Sequence, residues 1–273
     1  MHIDSNAPIG VFDSGIGGLT VAREIMRNLP MEKIVYFGDT ARVPYGSKSK
    51  ETVIRYSRQI VRFLQSQHVK AIVVACNTAS ALALSTLEKE IDIPIIGVVK
   101  PGARVAARTT VSKRVGVIAT EATIHSGLYT ELIQKIDPEI SVVGQPCPLF
   151  VPLVEEGWRK DPITEMVARR YLKELQKEDI DTLILGCTHY PLLRGLIGEI
   201  MGEHVRLVNP AYETSMALKQ LLTEQNLLNH GSVEEEFPYR FYVSDAAEKF
   251  KSFANSILPY DVERTKQINL EEY

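Results

Sequence analysis

Two of the three cysteines sit in matching settings. Cys76 ends the apolar run in Val73-Val-Ala-Cys-Asn-Thr78, and Cys187 ends the one in Thr182-Leu-Ile-Leu-Gly-Cys-Thr188. Each closes a strand-like run and precedes a threonine-containing turn into an expected helix. The free N–H groups and positive dipole end of a helix start favour a thiolate, so both thiols are expected to have lowered pKa values. One such cysteine alone reads equally well as a small core hydrophobe. A pair at equivalent strand ends reads better as two acid/base groups, one giving a proton while the other takes one. Two fixed groups of this kind suit proton transfer across the two faces of a single carbon. Cys147, in Pro146-Cys-Pro148, has no such setting and reads as structural.

Other polar groups fall beside these two. Asp13 ends the apolar run Ile9-Gly-Val-Phe12 and opens Asp13-Ser-Gly-Ile-Gly-Gly18. It reads either as a helix N-cap or as a carboxylate serving Cys76. The glycine-rich turn leaves backbone N–H groups open to a small anion such as a carboxylate. It is neither G-x-G-x-x-G nor a P-loop, so a nucleotide is weakly supported. His189, two residues past Cys187, can shift that thiol's protonation; the alternative is a satisfied core histidine. Glu155 is a third acid/base candidate that by sequence alone reads as surface. No metal is expected, because there is no C-x-x-C and Cys187 with His189 makes only half a zinc site.

These residues need elements to hold them. Ile9–Phe12, Ile34–Phe37, Ala71–Ala75 and Ile93–Gly97 read as buried strands, with helices at Leu19–Met26, about Lys50–Gln67 and Ala79–Glu90 between them. The alternation implies a parallel sheet covered on both faces. The pattern then restarts: Arg114–Thr120 resembles Ile9–Ser14, and Thr182–Thr188 resembles Val73–Thr78. The spacing from Gly10 to Cys76 is 66 positions and that from Gly116 to Cys187 is 71, which suggests internal duplication. The expected fold is therefore α/β: two pseudo-symmetric, doubly wound parallel-sheet domains with the site in the cleft between them, beyond the strand ends. A tail helix (Glu213–Leu222), strand (Arg240–Val243) and last helix (Ala246–Leu258) are expected to rejoin the first half. That division is 1–98 plus 209–273, carrying Cys76, against 99–208, carrying Cys187.

The bulk numbers narrow the class. With 273 residues, 45% apolar and 24% charged, the chain reads as globular with an ample core. A net charge of −3 gives no basic footprint, so no nucleic-acid partner is expected. The acidic run Glu234-Glu235-Glu236 reads as solvated loop. The first eight residues lack the basic and apolar regions of a signal peptide, and runs such as Ala71–Cys76 and Ile93–Val99 are too short to span a bilayer. Three cysteines without framework spacing fit a reducing compartment. A cytoplasmic enzyme with no membrane association is the expectation.

Taken together, Asp13-Ser-Gly-Ile-Gly-Gly-Leu-Thr-Val21, Gly38-Asp-Thr40, Val43-Pro-Tyr-Gly46, Ala75-Cys-Asn-Thr-Ala79 and Gly186-Cys-Thr-His-Tyr-Pro191 resemble the glutamate racemase family in the family's order. The related aspartate racemases typically carry an acidic residue after the second Cys-Thr; His189 here leans towards glutamate. The resemblance implies Cys76 and Cys187 as acid/bases, Asp13 assisting Cys76, and His189 assisting Cys187. It places Glu155 near the second cysteine. It implies that Asp13, Ser14, Tyr45, Gly46, Asn77, Thr78, Thr188 and His189 hold the substrate, joined by Thr120 through its place in the repeat. It also implies no pyridoxal phosphate or other cofactor, no metal, glutamate as the small-molecule partner, a homodimer, and a role in supplying D-glutamate for peptidoglycan. Three other readings remain open. A cysteine hydrolase would use Cys187 with His189 but leaves Cys76 unexplained. A two-lobed amino-acid binding protein gives no reason for paired thiols. A dithiol redox protein needs the cysteines close enough to bridge.

Overall fold

A computed structural model describes residues 3–231 and 238–273. The acidic run at Glu234–Glu236 lies outside the described residues. The first half runs β1 (Ile9–Asp13), α1 (Leu19–Asn28), β2 (Ile34–Gly38), α2 (Lys50–Ser66), β3 (Ala71–Val74), α3 (Asn77–Leu82), α4 (Leu84–Leu87) and β4 (Ile95–Gly97). Next come α5 (Val99–Thr109), β5 (Arg114–Ala119), α6 (Glu121–His125), α7 (Leu128–Ile136), β6 (Ser141–Pro146), α8 (Phe150–Glu155), α9 (Pro162–Leu172), β7 (Thr182–Gly186), α10 (Arg194–Met201) and β8 (Arg206–Val208). The chain ends with α11 (Pro210–Glu224), β9 (Tyr239–Val243), α12 (Ala247–Asn255) and β10 (Thr265–Gln267).

Two parallel sheets result, ordered β10-β9-β2-β1-β3-β4 and β6-β5-β7-β8. The order β2-β1-β3-β4 in the first is repeated by β6-β5-β7-β8 in the second, as the internal similarity suggests. Strands β1, β2, β3 and β7 are buried along their whole length. Such strands must be covered on both faces, which is why they read as unbroken Val/Ile runs. The strands β9 and β10 extend the first sheet through parallel pairing of β9 with β2. Helix α11, capped by the Asn209 side chain, packs against both α1 and α5. One apolar core spans the two halves: Ile9 and Val11 of β1 share it with Leu183 and Leu185 of β7. Among the described residues no helix is long and apolar enough to cross a membrane.

Two expected helices differ. The run Ala79–Glu90 is not one helix: it starts at Asn77, where the Cys76 side chain caps it, and breaks at Ala83 into α3 and α4. After Cys187 there is no α-helix start. A 3-10 turn over Tyr190–Leu193 comes first, and α10 begins only at Arg194. Pro191 lacks an N–H to continue a ladder and is tolerated in such a first turn.

Candidate active site

The carboxyl ends of β1, β3, β5 and β7 converge on one small cavity of about 20 Å³. Ser14, Tyr45, Gly46, Cys76, Asn77, Thr78, Thr120, Cys187, Thr188 and His189 line it, with Val43, Pro44 and Val151. Ten residues singled out by sequence are thus brought together, and both sulfurs open onto the same space. Asp13 and Glu155 do not line it but lie directly behind it.

Cys76 ends the β3 side of the site. Its thiol donates to Ser14 Oγ at 3.5 Å, and its sulfur accepts from the Ala79 N–H at 3.5 Å. The helix start is therefore present, yet the pKa moves opposite to the sequence expectation. Burial first, then the nearby Asp13 charge, push the Cys76 thiol up to about 12, outweighing the Ser14 and Ala79 hydrogen bonds. Asp13 is fully buried and accepts from the Gly15 N–H at 3.1 Å. Burial also raises its carboxyl above the ordinary carboxylate value, against the His189 charge and the Gly18 and Gly15 N–H groups. Thr188 Oγ1, from the other half, reaches Asp13 Oδ1 at 3.5 Å.

The β7 side is different. Cys187 Sγ lies 3.8 Å from His189 Nδ1, and His189 Nε2 lies 3.1 Å from Glu155 Oε1. Burial pushes the imidazole's pKa down, but the Cys187 sulfur and the Glu155 carboxylate more than offset this, and His189 is raised to about 10. It therefore carries its proton at neutral pH. Glu155, which reads as surface by sequence, has a side chain only 18% exposed because α8 turns it onto His189.

Hydroxyl and amide groups fill the rest of the wall. Thr78 Oγ1 lies 2.9 Å from Thr120 Oγ1 and 3.2 Å from Thr123 Oγ1, so the halves meet in a hydroxyl cluster. The Tyr129 hydroxyl donates to Asn77 Oδ1 at 2.7 Å, and Thr20 Oγ1 donates to the Thr188 carbonyl at 3.0 Å. The Tyr45 hydroxyl donates to Asp39, whose carboxylate also holds Arg42 at 2.7 Å and the Ser244 hydroxyl at 2.8 Å. Tyr36, buried beneath the glycine-rich turn, donates to the Gly15 carbonyl at 3.0 Å. The turn itself needs its glycine: a Cβ at Gly17 would lie 2.4 Å from Thr188 Oγ1 and 2.5 Å from the His189 ring. Sequence reasoning passed over Thr20, Thr123 and Tyr129, which lie inside ordinary helical patterns. Asp39, at the end of β2, carried a visible signal as a strand-end acid. Cys147 is buried and packs in the core.

Two like parallel sheets, with polar strand ends and a cysteine from each half around one cavity, define a two-sheet α/β protein whose candidate site lies between the sheets. Residues 9–214 match the family described as Asp/Glu/Hydantoin racemase. The chain belongs to that family. It is 51% identical over 263 residues to a protein named glutamate racemase from Geobacter metallireducens, covering 96% of this chain and 97% of that one. Among solved structures, glutamate racemase from Francisella tularensis in complex with D-glutamate is 43% identical. It superposes with a TM-score of 0.91, covering 98% of this chain and 100% of that one. An isoform of glutamate racemase from Bacillus anthracis is 39% identical with a TM-score of 0.92, covering 97% and 98%.

Proposed function

We propose that the chain interconverts L- and D-glutamate without a cofactor, with Cys76 and Cys187 transferring protons on opposite faces of the α-carbon. The observation that carries this reading is that two buried sulfurs, from equivalent strand ends of the two halves, open onto one cavity. Glutamate as substrate rests on the names of the relatives at 51% and 43% identity over nearly the whole chain.

The reaction breaks the α-C–H bond on one face by transfer of the proton to a thiolate. A C–H bond then forms on the other face with a proton from the opposing thiol, and the free thiolate is left on the other side. Cys76, held as a thiol by burial, is the donor in one direction, with Cys187 beside the charged His189 as the base. The reverse direction swaps the roles, with Asp13 able to share a proton near Cys76 and Glu155 steadying His189. An amino acid offers no imine to absorb the charge, so its carboxylate must take on enediolate character. Ser14, Asn77, Thr78, Thr120 and Thr188 supply polar groups to hold the carboxylates and amine, and Tyr45 with Gly46 forms the facing wall. A preorganised donor of this kind is typically worth about 3 kcal/mol in the transition state.

A cavity of about 20 Å³ holds little more than one water-sized sphere of roughly 10–15 Å³. Substrate entry therefore requires the halves to part and close again, which would exclude water from the reaction. In this reading the moving bodies are 1–98 with 209–273 and 99–208. The protein acts in the cytoplasm as a homodimer and supplies D-glutamate for peptidoglycan.

The test is direct. Purified protein, extensively dialysed and given L-glutamate alone, should bring the optical rotation to zero, and do so faster than with L-aspartate. Glutamate that binds but keeps its rotation would favour a binding protein, and faster loss with aspartate would move the substrate assignment.

A further inference from the structure

Besides the Thr78–Thr120–Thr123 and Thr188–Asp13 contacts, each cysteine loop accepts a hydrogen bond from a buried hydroxyl of the opposite half. On the β3 side, Tyr129 of α7 reaches across and donates to Asn77 Oδ1, the residue after Cys76, at 2.7 Å. On the β7 side, Thr20 of α1 reaches the other way and donates to the carbonyl of Thr188, the residue after Cys187, at 3.0 Å. Its hydroxyl also lies 2.9 Å from the Gly17 carbonyl, so the same group touches the glycine-rich turn. Both side chains are buried, Thr20 fully and Tyr129 to 4% exposure. A Cβ at Gly186, the last residue of β7, would lie 3.3 Å from the Tyr129 ring, so the tyrosine also packs beside the strand that leads to Cys187.

We propose that Thr20 and Tyr129 are a reciprocal pair of positioning residues that set where each thiol stands relative to the substrate carbon when the halves are closed. The proposal rests on the two-thiol reading above. Neither hydroxyl lines the cavity, so neither is a catalytic residue; each acts through the loop it holds. A transfer between sulfur and carbon is sensitive to placement, and about 1 Å of misplacement can cost roughly a hundredfold in rate. A loop tied to its own half would move with that half on closure. A loop tied across the cleft is brought to its working place by the closure itself.

The two tethers can be told apart. Enantiomers have equal free energy, so kcat/KM falls equally in both directions whichever thiol is displaced. The α-deuterium isotope effects do not. Each α-deuterated enantiomer gives its deuteron to one thiol and receives a solvent proton from the other. A displaced thiol makes its own transfer the slower one. The isotope effect on kcat/KM then rises for the enantiomer that this thiol deprotonates and falls for the other.

The experiment measures both isotope effects in Tyr129→Phe, Thr20→Val and Thr20→Ser. The first two should lose roughly tenfold to a hundredfold in kcat/KM, and their isotope effects should shift in opposite senses: the enantiomer whose effect rises in one falls in the other. Thr20→Ser, which keeps the hydroxyl, should retain wild-type isotope effects. A merely structural loss lowers the number of competent molecules and leaves both isotope effects unchanged. Unchanged effects, or shifts in the same sense in both variants, would overturn the proposal. Failure of the underlying reading looks different: Cys76→Ser and Cys187→Ser would each still racemise glutamate.

Discussion

His189 occupies a position where two opposing forces can be weighed. Burial alone lowers an imidazole's proton affinity, yet this ring lies between the Cys187 sulfur and the Glu155 carboxylate, and its pKa is raised to about 10 from 6.5. A raised folded-state value fixes the sign of the linkage. Stabilisation from the charged ring is full below pH 6.5 and is lost as the pH rises through about 10. His189→Asn should therefore be less stable than wild type by a margin that is largest below pH 6.5, shrinks steadily, and vanishes above pH 10. Urea unfolding across that range measures it, and a margin that is flat or grows with pH contradicts the assigned charge. Cys187 and His189 are visible as neighbours in the sequence. The place of Glu155 beside them comes from the family resemblance alone, because only the packing of α8 brings its carboxylate, 34 positions away, onto the ring. The Cys76 thiol misled for a related reason: the capping N–H expected from sequence is there, but the depth of burial that outweighs it is a property of the whole fold.

At the scale of elements, the glycine-rich turn between β1 and α1 packs tightly against the loop after Cys187 in the other half. Gly17 has no room for a side chain against Thr188 and His189. Gly17→Ala should leave the circular dichroism spectrum unchanged while lowering kcat/KM by roughly a hundredfold. Activity within a factor of about two of wild type would mean that the turn yields and the approach has no function. The central strands were legible because each is a continuous apolar run, and their repetition foretold two like sheets. The edge strands were less so: β4 lies within the expected Ile93–Gly97 run, but β8 has three residues and no residue of β6 is buried, so neither of these two shows the unbroken pattern of a buried strand. Beyond the threonine-containing turn after Cys187 the sequence leads one to expect a helix start, and Thr188-His-Tyr-Pro191 carries residues common at such starts. Those signals serve a 3-10 turn, which leaves His189 free to fold back on the sulfur.

Across the whole molecule, closure of the first half depends on a charge buried far from the cleft. Lys70, fully buried at the start of β3, pairs with Glu32 at 2.5 Å and donates to the carbonyls of Ser5 at 2.6 Å and Leu227 at 2.8 Å. One side chain thereby joins the N-terminal segment, the loop before β2 and the chain after α11. Lys70→Met leaves the Glu32 carboxylate buried and unpaired and should cost roughly 3–5 kcal/mol in urea unfolding. The double variant with Glu32→Gln should recover part of that loss, and a single-variant cost below about 1 kcal/mol would show that the pair is not the junction described. The same architecture sets the two cysteines on separate halves, so that each face of a substrate carbon meets a different thiol. The most direct test of that arrangement follows α-deuterium incorporation from D₂O into L- and D-glutamate by wild type, Cys76→Ser and Cys187→Ser. Wild type should exchange and invert both enantiomers, while each single variant loses inversion. Racemisation that survives loss of either thiol would contradict it.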